Sequence, residues 1–78
     1  MLEKYKEVFL NNFPVSEEQL TSLKYQDIPD WDSVGHMSFI ADLEDALGIE
    51  FEADDIVDFS SYLVGMEIVE KYGVDLQE

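Results

Sequence analysis

The residues of this chain whose types and spacing could do chemistry lie in one segment, at Asp32-Ser33-Val-Gly-His36. A serine becomes the nucleophile of its own enzyme only beside a general base, which a third group usually orients. His36 is the single histidine of the chain and follows Ser33 by three residues, but no third group and no glycine-rich oxyanion turn accompany them. We therefore do not expect a serine hydrolase.

The same segment begins like a calcium-binding loop, with Asp30, Asp32 and Gly35 in the pattern D-x-D-x-x-G. In such a loop Val34 would take the place of the third side-chain ligand, and Ala41 would take the place of the terminal glutamate. The chain has no cysteine, so a disulfide or a thiolate metal site is also excluded. We expect no metal site here.

The element that must position these residues is a helix from about Ser33 to Leu47. Asp32 or Ser33 is expected to cap its N-terminus with a side-chain oxygen. Gly48 is expected to end it in the left-handed conformation. Pro29 disfavours helix in the preceding residues, so a long loop leads into this helix.

Capping signals and apolar residues at helical spacing predict the remaining elements, including a capping box between Ser16 and Gln19. The predicted segments are residues 2–12, a short turn from Ser16 through about Leu23, residues 53–58, and a last helix from Ser60 or Ser61 to Lys71 or Tyr72. No segment shows a pair of alternating strands. The sequence predicts one all-α domain over residues 1–78, a small bundle of three main helices and one or two short ones, with a long first loop.

The helix from Ser33 shows two apolar faces at 100° per residue. The residues of its core stripe are His36, Phe39, Ile40, Leu43 and Leu47. A second strip, roughly opposite, contains Val34, Met37 and Ala41, interleaved with Ser38, Glu44 and Asp45. An apolar strip rimmed by carboxylates is expected where a basic, partly apolar partner binds. Alternatively, the short helices cover this strip.

The charge distribution narrows the classes of partner. Nineteen acids and four lysines give a net charge of −15. All four lysines lie outside residues 25–70, a segment that carries thirteen acids. Such a field repels nucleic acid and anionic membranes and favours basic protein partners.

No apolar run approaches the ~20 residues that a membrane-spanning helix needs. We expect a cytoplasmic monomer that does not insert into membranes.

The sequence DSVGHMSFIADLEDALGIEF, from Asp32 to Phe51, resembles the acyl carrier proteins. The shared features are Asp-Ser and an apolar residue at the start of the second helix, an amphipathic helix with Leu-Glu, and a glycine before Ile-Glu-Phe. Val34 replaces the leucine usual in the family. The order and length of the predicted helices agree with the family over essentially the whole chain. The form WDSxGHM is similar to stand-alone carriers of specialised pathways.

The resemblance implies that Ser33 accepts 4′-phosphopantetheine from coenzyme A through a separate, magnesium-using phosphopantetheinyl transferase. The thiol of this arm would carry acyl, aminoacyl or ketide groups as thioesters to partner enzymes with basic docking patches, and the chain itself would not be an enzyme. Asp32 would help the transferase recognise the site. The residues implied for the partner-binding face are Val34, Met37 and Ala41 as apolar contacts, with Glu44 and Asp45 facing basic groups.

The resemblance leaves two questions open. Family members that serve fatty acid synthesis usually carry more acids just after the serine, so a dedicated synthase or transferase is favoured here. Candidates for a pocket that would enclose an acyl chain, or for ordinary core positions, are Ile40, Leu43, Phe59 and Tyr62. The alternative function is an acidic adaptor that keeps the bundle, is never modified, and acts by binding a basic protein.

Overall fold

A computed structural model describes residues 1–76 of the chain, and it is all-helical. The elements are α1 (Leu2–Asn12), a 3₁₀ helix (Glu17–Ser22), α2 (Ser33–Leu47), α3 (Ala53–Asp58) and α4 (Tyr62–Lys71). Within residues 1–76 the only β pairing is an isolated bridge between Lys24 and Ser61. The predicted all-α bundle is confirmed, and none of the helices described is long and apolar enough to cross a membrane.

The core is built around aromatic side chains, with Phe9 of α1 at its centre. The ring centroid of Phe9 lies 4.5 Å from that of Phe39 and 5.8 Å from that of Trp31. Aromatic pairs of this kind contribute about 0.5–1.5 kcal/mol each beyond their burial. Because Phe39 belongs to α2 and Trp31 precedes that helix, these rings fix α2 against α1.

Helix α4 packs closely on the same core. Ser61 caps it by accepting a hydrogen bond from the Val64 N–H at 3.0 Å. The Tyr5 hydroxyl donates to the carbonyl oxygen of Tyr62 at 2.7 Å, and burial raises the pKa of Tyr5. A β-carbon at Gly65 would overlap the Phe59 ring and the Tyr5 hydroxyl, so a larger residue there would have to displace these buried side chains.

Helix α3 has no fully buried residue, and it is held by polar contacts together with the half-buried Ile56, which packs against the core. Asp55 accepts hydrogen bonds from Lys71, at 2.7 Å, and from the hydroxyl of Tyr72. The Tyr72 oxygen in turn accepts from the Glu52 N–H at 2.8 Å. These contacts hold α3 against the end of α4. A hydrogen bond between the His36 side chain of α2 and the Ile56 carbonyl oxygen also holds α3 against α2.

The long loop before α2 is also pinned. The Tyr25 N–H donates to the carbonyl oxygen of Ser60 at 2.8 Å. The Gln26 N–H donates to the carbonyl oxygen of Trp31 at 3.0 Å, and Gln26 has a φ of 72°. A positive φ is uncommon outside glycine, so the turn after Tyr25 is a strained, specifically held conformation. The loop therefore delivers Trp31 and the residues after it to the start of α2.

Candidate functional site

Asp32, and not Ser33, caps α2. The Asp32 Oδ1 atom accepts a hydrogen bond from the Gly35 N–H at 2.8 Å. Ser33 is consequently the first residue of the helix, with an exposed side chain. Within residues 1–76 the Ser33 hydroxyl has no hydrogen-bond partner, and the residue lies at the surface of the folded domain.

Gly35 is required by the turn that presents Ser33. A β-carbon at this position would overlap the backbone carbonyl oxygen of Asp30. The chain passes so close to itself here that no other residue fits without moving the loop. Asp32, which the calcium-loop pattern would use as a ligand, uses its Oδ1 atom for the cap. Among the residues described, no group of three or more His, Cys, Asp or Glu side chains could hold a metal ion.

His36 has a structural task that removes it from serine chemistry. Its side chain is 8% exposed, and its Nδ1 atom accepts a hydrogen bond from the buried Trp31 indole N–H at 2.9 Å. Because an indole N–H can only donate, the imidazole proton is assigned to Nε2, which donates to the Ile56 carbonyl oxygen at 2.8 Å. Both ring nitrogens are in use, so His36 is not available as a base for Ser33.

The apolar strip of α2 is open. Val34 is 75% exposed and Met37 is 56% exposed, and Ala41 is exposed as well. The alternative expectation, that the short helices cover this strip, is therefore wrong. The apolar surface continues onto α3, where Val57 is 81% exposed.

The two carboxylates predicted at the rim of this strip differ in their freedom. Asp45 is exposed, whereas Glu44 is half-buried. The Glu44 Oε2 atom accepts a hydrogen bond from the Phe51 N–H at 2.8 Å and so secures the chain after α2. Asp45 is the freer of the two groups for contact with another molecule.

A groove of about 360 Å³ lies beside Ser33, between the long loop, α2 and α3. Its walls are largely apolar, and the residues that matter below are Tyr25, Met37, Ile56 and Val57. Sequence reasoning missed Tyr25 and Val57. For Val57 a weak signal existed, since an apolar residue between acids in a short helix has little to pack against.

The four residues considered for an acyl-chain pocket do not act together. Phe59 is buried and lines the groove. Ile40, Leu43 and Tyr62 are buried core residues and do not line it. Their place in the tightly packed aromatic and aliphatic core matches the second interpretation, that of ordinary core positions.

A larger, shallower depression of about 580 Å³ lies between α3 and α4, and Ser33 is not part of it. Its charged lining residues are Asp55, Asp58, Glu67, Glu70 and Lys71. The Lys71 ammonium group is paired with Asp55, so the surface of this depression remains predominantly acidic. The depression extends the negative field of the molecule.

Comparison of the chain with family models, with curated proteins and with solved structures finds no match. A function for the site can therefore be proposed only from the sequence resemblance described above, together with the residues and geometry of the site.

Proposed function

We propose that this chain is a carrier protein that bears a 4′-phosphopantetheine arm on Ser33. The observation that carries the proposal is a contrast within the first turn of α2. Trp31, Asp32, Gly35 and His36 each have a structural task there. At this end of the helix, from Trp31 to His36, Ser33 is the one residue that combines a reactive side-chain atom with an exposed position and no hydrogen-bond partner among the residues described.

The local electrostatics suit a phosphodiester at this position. The Asp32 side chain accepts the hydrogen bond of the Gly35 N–H, whereas the N–H groups of Ser33 and Val34 lie in the first turn of the helix, where no preceding turn supplies an acceptor. Unpaired N–H groups and the helix dipole favour an anion at a helix N-terminus. This interaction offsets part of the repulsion from the Asp32 carboxylate.

The chemistry of attachment needs only a hydroxyl from this chain. The Ser33 oxygen attacks the phosphorus of coenzyme A that bears the pantetheine, its proton passes to a base of the transferase, and the bond to the nucleotide phosphate breaks. His36 is buried and both of its ring nitrogens are hydrogen-bonded, so the base that activates Ser33 must come from another protein. The arm then supplies a thiol that carries acyl, aminoacyl or ketide groups as thioesters, while the protein positions it.

The partners in this proposal are a phosphopantetheinyl transferase and enzymes that load or use the acyl group. Val34, Met37 and Ala41 would contact these enzymes, and Asp32 would be read by the transferase. Asp45, and Glu44 through its remaining oxygen, would face their basic residues. On this proposal the chain acts as a cytoplasmic monomer and has no catalytic activity of its own.

An acidic adaptor is the second candidate, because the acidic α3–α4 depression and the open strip could bind a basic protein without any modification. Incubation with coenzyme A and a broad-specificity transferase, followed by intact mass measurement, separates the two. The carrier proposal predicts a gain of one phosphopantetheine group that S33A abolishes and S38A retains, since Ser38 is an exposed serine on the same helix. No gain in the native chain would favour the adaptor.

A further inference from the structure

The groove beside Ser33 contains one side-chain hydrogen-bonding group that nothing in the described part of the chain uses. Three of its lining residues carry such groups, namely Tyr25, Ser33 and His36. Both nitrogens of His36 are already bonded, and the Ser33 oxygen is the attachment point in the proposed function. Only the hydroxyl of Tyr25, a half-buried residue, remains for a molecule that lies in the groove.

The position of Tyr25 is specified from several sides. Its N–H is bonded to the Ser60 carbonyl, and its ring packs edge-on against the Trp31 and His36 rings, with centroid distances of 6.2 Å and 5.4 Å. The strained Gln26 follows directly. Backbone strain of this kind persists only where the surroundings enforce it, and it is often found at functional sites. The phenol is thus held in place although its oxygen bonds to nothing in the fold.

The size and lining of the groove select its occupant. A volume of about 360 Å³ is near the lower end of the roughly 300–1,000 Å³ found for small-molecule pockets. It therefore has room for a pantetheine segment but not for a long acyl chain in addition. Among the residues that line it there is no cation, so a phosphate would stay at the helix terminus and the uncharged part of the arm would enter.

We propose that Tyr25 is a positioning residue for the tethered arm, with its hydroxyl donating a hydrogen bond to an amide carbonyl of the pantetheine. The geminal methyl groups of the arm pack against Met37, Ile56 and Val57. The thiol and its cargo extend beyond the groove, toward the apolar strip where partner enzymes would bind. This inference rests on the proposed function, because the arm must first be attached to Ser33.

The experiment uses the full chain, isotopically labelled, converted to the arm-bearing form with unlabelled coenzyme A and verified by mass. Isotope-filtered nuclear Overhauser spectra then detect contacts between arm methyl groups and protein methyl groups. We expect contacts to Met37 and Val57 in the native chain. In Y25F the ratio of docked to free arm should fall about two- to tenfold, as expected for the loss of one neutral hydrogen bond.

Two controls separate positioning from folding. Because the Tyr25 hydroxyl has no partner within residues 1–76, Y25F should leave the stability of the unmodified chain unchanged. L63A removes an exposed apolar side chain of α4 that does not line the groove, and it should leave the docked fraction as it is. A modified chain whose arm shows no groove contacts, or equal docking in Y25F, would refute this inference alone. Failure of Ser33 to accept the arm would refute the proposed function and this inference with it.

Discussion

The two roles assigned to Asp32 can be separated by substitution. Asp32 caps α2 through a 2.8 Å hydrogen bond from Gly35, and it is also proposed to be read by the transferase. D32A removes both the cap and the charge. D32N removes the charge but keeps a side-chain oxygen that can cap equally well.

The expected stability changes follow from the cap. Loss of an N-cap side chain costs about 0.5–2 kcal/mol, typically ~1 kcal/mol. For a domain of this size 1 kcal/mol corresponds to roughly 4–8 °C in Tm. The Tm of D32A should therefore be several degrees lower than that of the native chain. D32N should lose less than half as much, since asparagine caps well and one repulsive charge is removed from a strongly acidic molecule.

The assay pairs thermal or urea unfolding with the initial rate of modification by the transferase, measured where all variants are folded. If the transferase reads the carboxylate, both variants are modified slowly, although only D32A is clearly destabilised. Unchanged unfolding in D32A would refute the cap as a source of stability. Modification of D32N at the native rate would refute recognition of the charge and leave Asp32 as a cap alone.

Three further predictions concern the surroundings of the site. H36L leaves the buried Trp31 N–H without an acceptor and should cost about 1–3 kcal/mol in urea unfolding, whereas an unchanged midpoint would mean that the indole finds another partner. Hydrogen bonds from Lys71, and secondly from Tyr72, lower the pKa of the Asp55 carboxyl group. The stability that these bonds give the fold is therefore present above the pKa that Asp55 has in the unfolded chain, and it is lost as pH falls through the lower pKa of the folded chain. The stability difference between the native chain and D55N should accordingly shrink on acidification, and a constant difference would contradict this. At 0.01 M salt the screening length is about 30 Å, which equals the longest dimension of the domain, 30 Å, so the acidic groups repel one another across the whole molecule. Added salt weakens this repulsion, and Tm should therefore rise between 0.01 and 0.1 M salt. A Tm that does not change with salt would argue against self-repulsion.

The elements could be predicted from local sequence because their signals are local. The start and end of α2 follow from the Asp32-Ser33 cap and from Gly48, which has a φ of 68°. The prediction left open which of the two residues caps the helix, since both side chains can accept. The answer depends on the course of the loop, and the structure shows that Asp32 does so.

The contacts that define the site could not be predicted, because they depend on where the chain turns back on itself, which no local sequence signal specifies. The partner of His36 Nε2 is the carbonyl of Ile56, twenty residues away, and a carbonyl has no side-chain signature. The need for Gly35 arises from the returning backbone at Asp30. Helical spacing placed Glu44 beside the outer strip, but its bond to Phe51 depends on how the chain turns after α2.

The most direct test of the central claim is to locate the modification in the folded chain. After treatment with coenzyme A and the transferase, proteolysis and fragmentation of the resulting peptides identify the residue that carries the added mass. The proposal predicts one phosphopantetheine group on Ser33 and on no other residue. An unmodified peptide around Ser33 from a folded chain, or the group found elsewhere, would contradict it.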